Sequence, residues 1–274
     1  MTRTLTLGAV GSDVTLLQQR LTAAGYPANP DGWFGDKTRA ALLDYQRDHL
    51  ITMTGTAGQR TLASLLGAAS DKQLTITHLR AAAAQLGVSV AKLAAFADVE
   101  SAGEGFDSAG RPVVLFERHV FHRQIAAHLG QAKADALAAA YPQLCNPQRG
   151  GYVGGAGEWQ RLTMAMGLHR AAAIESASWG MFQVMGYHWQ ANGMADAEAW
   201  RAAMCQSEAD QLAAVVGFIG RDAKLLAALQ AGNWKEVARR YNGPAYADNR
   251  YDQRLAAAHR HFAVIYPDEV SHVD

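Results

Sequence analysis

The chain has 274 residues, 49% of them hydrophobic and 18% charged, so it is long enough for one large globular domain or for two smaller ones. Its 25 basic and 25 acidic side chains balance, which argues against nucleic acid or an anionic membrane surface as the main partner. No stretch approaches the roughly 20 uninterrupted apolar residues of a membrane span, so no stable membrane insertion is expected. Residues 1–8 lack the apolar core of a signal peptide. Cys145 and Cys205 are too few for a disulfide framework and are expected to be reduced core residues.

The first 66 residues contain a short internal repeat in which a glycine turn leads into a helix. The first copy spans residues 31–38 (DGWFGDKT) and the second spans residues 54–61 (TGTAGQRT). Residues 14–21 carry an earlier apolar stripe at helical spacing, with Ser12 or Asp13 as the predicted N-cap. The pattern predicts a compact module of three helices.

The remainder of the chain is predicted to be mainly helical, after a short linker of small and polar residues at 67–73. Helical periodicity covers residues 74–86, 89–101, 120–129, 133–140, 158–175, 197–219, 224–231, 234–241 and 251–265. Residues 111–117 are the best strand candidate, at one edge of a small sheet. The predicted fold is therefore mainly α, with a module over 1–66 and a larger helical domain over 74–274 that has at most a small sheet.

One acidic residue lies on the apolar face of the predicted helix over 89–101. Glu100 follows Leu93 and Phe96 at helical spacing, with Ser89 as the predicted N-cap and Gly103 as the predicted end. Burial and the negative end of the helix dipole both disfavour a carboxylate there, so we expect a raised pKa for Glu100. A carboxylic acid that stays protonated near neutral pH can protonate the leaving oxygen of a glycosidic bond.

Three features of the N-terminal module occur together: Leu17-Gln18 on the first helix, the turn from Asp31 to Thr38, and Tyr45-Gln46 on the second helix. In this combination the module resembles the peptidoglycan-binding domain of cell-wall hydrolases. The resemblance implies that the module binds bacterial peptidoglycan. It points to these motif residues: Asp31, Gly32, Phe34, Gly35, Thr38, Tyr45 and Gln46.

The larger domain contains three sequence motifs, which occur together and in a fixed order. The first is Val99-Glu100-Ser101-Ala102-Gly103 continuing to Glu117, the second is residues 176–186 (SASWGMFQVMG), and the third is residues 240–244 (RYNGP). Over about residues 74–267 the chain resembles the lysozyme superfamily, and within it the phage-type N-acetylmuramidases. The resemblance implies a lysozyme-like fold with Glu100 as the catalytic acid. It implies a sugar-binding groove formed by Ser101, Glu117, Ser178, Gly180, Phe182, Gln183, Tyr241 and Asn242.

The residue types in these segments suit a polysaccharide site. Amides such as Gln183 and Asn242 can bond sugar hydroxyls and N-acetyl groups, and Gly180 and Gly243 let the backbone approach a ligand closely. Two or three of the larger apolar residues are expected to be ordinary core residues instead, the four candidates being Trp179, Met181, Phe182 and Tyr241.

Other carboxylates compete with Glu100 for the role of the acid. Glu175 repeats the Glu-Ser dipeptide, and we expect it to hold the groove turn. Glu117 is expected to line the cleft or to form an ion pair with Arg118 or Arg111. No aspartate is placed by motif as a nucleophile, which favours direct attack by water over a covalent intermediate.

A zinc site is the main alternative chemistry, because His119 and His122 lie three residues apart beside Glu117. A third ligand and the H-E-x-x-H motif are both lacking, so no metal and no cofactor are expected.

The resemblance thus implies a modular phage endolysin that cleaves the β-1,4 bond between N-acetylmuramic acid and N-acetylglucosamine. It would be made in the host cytoplasm without a signal peptide and act as a monomer on peptidoglycan in the periplasm or cell wall, with no nucleic-acid partner. Two alternatives stay open. One is a lytic transglycosylase that forms 1,6-anhydro products, and the other is an inactive wall-binding or tail protein.

Overall fold

The structure is a computed structural model that describes residues 4–49, 51–67, 71–101 and 105–267. The chain divides into two compact units, Met1–Phe96 with Asp252–Asp274 and Ala97–Tyr251. Helices predominate and a single small sheet is present in the described residues, which confirms the predicted fold class. The proposed boundaries, with a linker at 67–73, stay a prediction, and residues 68–70 of that linker lie outside the described residues.

The N-terminal module contains the three predicted helices: α1 (Ser12–Ala23), α2 (Asp36–Asp48) and α3 (Gln59–Leu65). Gly11 is the N-cap of α1 and no side chain caps that helix, so the prediction of Ser12 or Asp13 as the cap was wrong. The backbone of Gly11 has a φ of 122°, which favours glycine and brings the chain into the helix without a capping side chain. The helices enclose a self-contained core that includes Leu17, Phe34, Leu42 and Leu62.

Three further helices belong wholly or in part to the first unit: α4 (Ile76–Leu86), α5 (Val90–Glu100) and α14 (Tyr251–Ile265). Ser89 caps α5 as predicted, since its Oγ accepts a hydrogen bond of 3.3 Å from the backbone N–H of Lys92. The predicted end of this helix, Gly103, lies outside the described residues. Among the described helices, none is long and apolar enough by itself to cross a membrane, although α4 and α5 together pass that test across a bend of 112°.

The second unit contains most of the helices. They are α6 (Arg118–Leu129), α7 (Gln131–Ala140), α8 (Ala156–Leu168), α9 (Arg170–Glu175), α10 (Ala197–Gln206), α11 (Glu208–Arg221), α12 (Ala223–Ala231) and α13 (Trp234–Asn242). Short 3₁₀ helices cover Gly186–His188, Gln190–Asn192 and Pro244–Asn249. Cys145 is a buried free thiol as expected, whereas the free thiol of Cys205 is only half-buried.

The small sheet consists of β1 (Val114–Phe116), β2 (Ala177–Trp179) and β3 (Val184–Met185) in the order β1-β2-β3. All neighbouring strands are antiparallel, with Leu115 opposite Ser178. The strand predicted over 111–117 is confirmed with shorter bounds. The turn between β2 and β3 carries the second sequence motif.

Two predicted helices are each broken into two. The segment 158–175 breaks at His169, whose ring Nδ1 accepts a hydrogen bond of 3.1 Å from the N–H of Ala172. The segment 197–219 breaks at Ser207, whose Oγ accepts a hydrogen bond of 3.2 Å from the N–H of Asp210. Both break residues have extended backbones, so each is the N-cap of a new helix within one apolar stripe.

Candidate active site

The carboxyl group of Glu100 lies at the C-terminal end of α5 and is half-buried. Its Oε1 accepts a hydrogen bond of 2.8 Å from Nδ2 of Asn242, the last residue of α13. The two residues are 142 positions apart in sequence, so the fold brings the first and third motifs into direct contact. This carboxyl–amide pair is the centre of the candidate site.

Tyr241 connects the same helix end to the second motif. Its hydroxyl donates a hydrogen bond of 3.2 Å to the backbone carbonyl of Phe182, and its ring packs edge-on against Phe218 at 5.7 Å. Burial raises the pKa of the Tyr241 phenol, and the negative charge of Glu100 raises it further. Tyr241 therefore remains a protonated donor at neutral pH. Phe182 itself is a core residue.

Gln183 holds the turn between β2 and β3. It has a φ of 52°, a conformation that non-glycine residues adopt infrequently. Its Nε2 donates to the carbonyl of Gly180 at 2.8 Å, and its Oε1 accepts from the hydroxyl of Ser178 at 2.7 Å. Both ends of the Gln183 amide thus have partners inside the turn, which gives this side chain a structural role.

Gly180 is needed because a neighbouring protein side chain fills the space beside it. Its φ is 69°, and a Cβ atom there would overlap the side chain of Gln211. Gln211 is buried on α11, and its Oε1 accepts a hydrogen bond of 2.7 Å from the N–H of Met181. The close approach at Gly180 is therefore made by Gln211 and not by a ligand, which was the expectation from the sequence.

Gln211 and its neighbour Glu208 are functional residues that were not predicted from the sequence. Gln211 also donates to the carbonyls of Met204 at 3.0 Å and Gly105 at 3.3 Å, and Glu208 Oε1 accepts from the N–H of Gly105 at 2.8 Å. Together they fix the chain just after residues 102–104, which lie outside the described residues. The sequence does contain a feature that could have identified them, because they are two polar residues at positions i and i+3 on the apolar stripe of α11.

Ser101 directly follows α5, and its backbone N–H donates to the carbonyl of Ala97 at 3.1 Å. Its side chain is half-buried. The contact extends the helical hydrogen bonding one residue past Glu100 and so fixes the backbone beside the carboxyl group.

Glu117 is buried, and its carboxylate faces a glycine-rich loop at residues 146–155. Tyr152 donates its hydroxyl to Oε2 at 2.7 Å, and Arg149 lies 3.7 Å from Oε1. The expected ion pair with Arg118 or Arg111 was wrong. Arg118 donates to backbone carbonyls of the loop instead, and Arg111 pairs with an aspartate four residues away.

Glu175 has partners on both oxygens. His128 Nε2 lies 2.7 Å from Oε2, and Trp189 Nε1 donates to Oε1 at 2.9 Å. These contacts connect the end of α9 to α6 and to the segment after β3, which supports the expected structural role for Glu175.

The chain is similar to known proteins over most of its length. A family model of N-acetylmuramidases matches residues 89–263, and a model of a peptidoglycan-binding domain matches residues 10–65. The chain belongs to the N-acetylmuramidase family. A solved structure, the crystal structure of Burkholderia AP3 phage endolysin, is 43% identical with a TM-score of 0.89, and the match covers 96% of this chain and 99% of that chain. A search of curated proteins gave no match.

The family membership establishes the class of enzyme. The chain is a lysozyme-type glycoside hydrolase whose substrate is peptidoglycan, and it carries a peptidoglycan-binding domain, as the sequence motifs predicted. Across the part of the muramidase that the structure describes, no three histidine, cysteine, aspartate or glutamate side chains are grouped to hold a metal ion. His122 pairs with Asp135 at 3.1 Å, and His119 lies 3.2 Å from Glu117.

In the binding domain, the first repeated turn is held by the buried side chain of Gln18. Its Nε2 donates to Asp31 Oδ1 at 2.8 Å and to Thr38 Oγ1 at 2.9 Å, while its Oε1 accepts from the N–H of Gly32 at 3.0 Å. One amide thus ties the turn to the start of α2.

Gln46 does the same for the second turn. Its Nε2 donates to Thr61 Oγ1 at 3.0 Å and to the carbonyl of Thr56 at 2.9 Å, and its Oε1 accepts from the N–H of Gly55 at 3.0 Å. The internal repeat therefore encodes two equivalent turn supports. Most motif residues proposed for peptidoglycan binding are buried in this framework: Phe34, Gly35, Thr38, Tyr45 and Gln46. Asp31 is exposed and Gly32 is half-buried.

Proposed function

We propose that this muramidase is a phage endolysin that cleaves the β-1,4 bond between N-acetylmuramic acid and N-acetylglucosamine, with Glu100 as the general acid. The hydrogen bond between Glu100 and Asn242 carries this proposal, because it unites the two motif residues best suited to act on a sugar. The endolysin role is supported by 43% identity to the AP3 phage endolysin over nearly the full length of both chains.

Asn242 orients the carboxyl group of Glu100, because its amide donates a hydrogen bond to Oε1. The protonated carboxyl group carries the transferable proton. Glu100 gives this proton to the leaving oxygen as the bond to the anomeric carbon of N-acetylmuramic acid breaks. Water adds to that carbon from the opposite face and releases a proton to the solvent, and the Glu100 carboxylate takes up a proton from the solvent to complete the cycle. The new reducing end then has the inverted, α configuration.

The rival attacking group is the substrate's own muramoyl 6-hydroxyl, which would give a 1,6-anhydro end as in lytic transglycosylases. The match to an N-acetylmuramidase model over residues 89–263 favours water. An inactive wall-binding protein would release neither kind of product.

Product analysis tests the proposal directly. Purified sacculi are digested with wild type and with Glu100→Gln, and the fragments are analysed by mass spectrometry and early-time proton NMR. We expect α reducing ends of N-acetylmuramic acid from wild type, and a rate lower by about 10² to 10⁴ for Glu100→Gln, the range typical of lost general acid catalysis. Circular dichroism checks that the variant is folded.

Glu175→Gln serves as the matched control, because Glu175 is a buried carboxylate of the same unit with structural partners. A Glu100→Gln variant with more than a tenth of wild-type activity, together with an inactive but folded Glu175→Gln, would show that Glu175 is the acid. Fragments lighter by one water would make the enzyme a transglycosylase, and new peptide amines without new reducing ends would exclude glycosidase activity.

A further inference from the structure

A groove of about 460 Å³ lies on the N-terminal module, between the chain that follows α1 and the outer face of α2. The residues that define its chemistry are Tyr26, Pro27, Lys37, Ala40, Asp44 and Arg47. Its volume lies within the roughly 300–1,000 Å³ typical of small-molecule sites. The whole groove is formed by one compact unit of the chain.

The motif residues of the module support this groove from beneath. Tyr26 packs edge-on against the buried ring of Tyr45 at 5.3 Å, and its hydroxyl donates to Asp48 at 3.0 Å. Ala41, which also lines the groove, is buried in the module core. Tyr45 is itself buried, so its part in the groove is to position the ring of Tyr26.

Some charged side chains of the groove form ion pairs with each other, and one does not. Lys37, Ala40, Asp44 and Arg47 lie along one strip of α2 at helical spacing. Asp44 and Arg47 form an ion pair of 2.7 Å. Lys37 is exposed and, within the described part of the chain, has no ion-pair partner. Arg47 also pairs with Asp48 at 2.8 Å, so its charge is engaged by two carboxylates. The groove therefore offers the ammonium group of Lys37 as its available cation, beside a small apolar surface.

We propose that this groove binds the stem peptide of peptidoglycan, with a peptide carboxylate on Lys37 and the peptide backbone along Tyr26 and Ala40. The inference rests on the proposed function of the module in wall attachment. The glycan strand is uncharged, because its amines are acetylated and its lactyl carboxyl is amide-bonded, whereas the stem peptide carries free carboxylates. A cation without a partner is therefore complementary to the peptide and not to the sugar.

The competing surface on the module is the ring of Trp33. This side chain is 60% exposed, and a Cβ atom at Gly35 would lie 3.3 Å from its ring. An exposed indole face suits a sugar ring, so Trp33 marks where a glycan would bind if the module recognised sugar instead.

The test uses the full chain and two soluble probes that separate the components of peptidoglycan. One probe is the stem tetrapeptide L-Ala-γ-D-Glu-meso-diaminopimelyl-D-Ala, and the other is chitotetraose, which has no peptide. Amide chemical shifts are followed during each titration. We expect the tetrapeptide to shift the amides of Lys37, Ala40 and Asp44, and chitotetraose to leave them unchanged.

Three variants measure how much the charge of Lys37 contributes to tetrapeptide binding. Ala40→Glu places a carboxylate one helical turn from Lys37 without loss of helix propensity, and we expect about tenfold weaker tetrapeptide binding through like-charge repulsion. Lys37→Ala should weaken binding and reduce its dependence on salt. Arg20→Ala is the matched control, because Arg20 is an exposed cation of α1 outside the groove and should retain affinity.

The proposal is overturned if the tetrapeptide leaves the groove amides unshifted. It is equally overturned if Trp33→Ala abolishes tetrapeptide binding while Ala40→Glu does not. Neither probe requires cleavage, so an unexpected product in the digestion experiment would revise the reaction without affecting this result. Conversely, a failed titration with normal digestion products would reject the groove alone.

Discussion

Asn242 donates to one oxygen of Glu100, and its removal tests whether that contact positions the acid. Asn242→Ala deletes a donor that favours the ionised carboxylate, so the pKa of Glu100 should rise. The acid must be protonated to act, so the alkaline limb of the pH–rate profile should move to higher pH. We also expect a fall in kcat of about 10- to 100-fold from lost orientation, with a smaller change in KM.

The measurement is the release of reducing ends from soluble glycan between pH 4 and 9. Asn146→Ala is the control, because Asn146 is a half-buried amide of the same unit that donates to the carbonyl of Pro142. An Asn242→Ala variant with an unshifted pH profile and unchanged kcat would mean that Asn242 does not position Glu100.

At the scale of single residues, the sequence supports some assignments better than others. Glu100 and Asn242 were predicted from motifs, and the structure joins them. Gly180 and Gln183 were also selected, but their conformations and contacts are explained by the turn and by Gln211. Gln211 was missed because its partners lie 30 and 106 residues away, and local periodicity gives no information on contacts of that separation.

At the scale of elements, a buried ion pair on α8 joins this helix to β1 and to the loop before it. Glu158 is only 1% exposed, and it accepts hydrogen bonds from the N–H groups of Val153 at 2.7 Å and Phe116 at 3.1 Å. Arg161 pairs with Glu158 at 2.7 Å and donates to the carbonyl of Phe116 at 2.9 Å. The pair therefore satisfies both backbone groups of the last residue of β1.

Glu158→Gln should destabilise the second unit. Removing one partner of a buried pair typically costs about 3 to 5 kcal/mol, because the other charge stays buried without compensation. Urea unfolding followed by circular dichroism should give a clearly lower midpoint at pH 7. Glu198→Gln is the control, since Glu198 forms partly exposed pairs with Arg170 and Arg201 that are worth about 1 kcal/mol or less.

The same pair predicts a dependence of stability on pH. Burial raises the pKa of Glu158, but backbone donors and Arg161 outweigh burial and hold it below the ordinary value of 4.5. A lowered pKa in the folded state means that the stabilisation is present above pH 4.5 and is lost as the pH falls through the folded-state pKa. The urea midpoint of wild type should fall more steeply below pH 4.5 than that of Glu158→Gln. Parallel profiles would contradict this assignment.

The sequence predicted where helices occur better than it predicted where one helix ends and the next begins. Apolar periodicity identified every segment from α8 to α11, yet it continues through the break residues His169 and Ser207, neither of which is a glycine or a proline. Each of these side chains satisfies an N–H group at the start of the following helix, a local contact that competes with continued helix. The two-residue strand β3 was not predicted, because a strand that short has no periodicity to detect.

At the scale of the whole molecule, local repetition was visible in the sequence and long-range packing was not. The repeated turns revealed the N-terminal module, and the motifs revealed the muramidase family. The contacts of the C-terminal helix were not predictable. Tyr266 accepts a hydrogen bond from the N–H of Met53 at 2.9 Å, and His261 donates to the carbonyl of Thr54 at 2.9 Å, across 213 and 207 residues.

Deletion of residues 1–66 should therefore affect attachment and stability more than chemistry. Glu100 and Asn242 lie in the unit Ala97–Tyr251, so the shortened chain should still release reducing ends from soluble glycan. It should no longer sediment with sacculi, because the peptidoglycan-binding domain is gone. Its melting temperature should fall, because α14 and Tyr266 lose the partners at Met53 and Thr54.

Tyr266→Phe in the full chain separates these effects. The substitution removes only the hydroxyl that accepts from Met53, so it should lower the melting temperature slightly and leave sedimentation with sacculi unchanged. If the shortened chain bound sacculi as well as the full chain, attachment would reside in residues 67–274 and the groove on α2 would have no role in it. If the shortened chain were folded but inactive on soluble glycan, the N-terminal module would be required for the chemistry itself, because Glu100 and Asn242 are both retained.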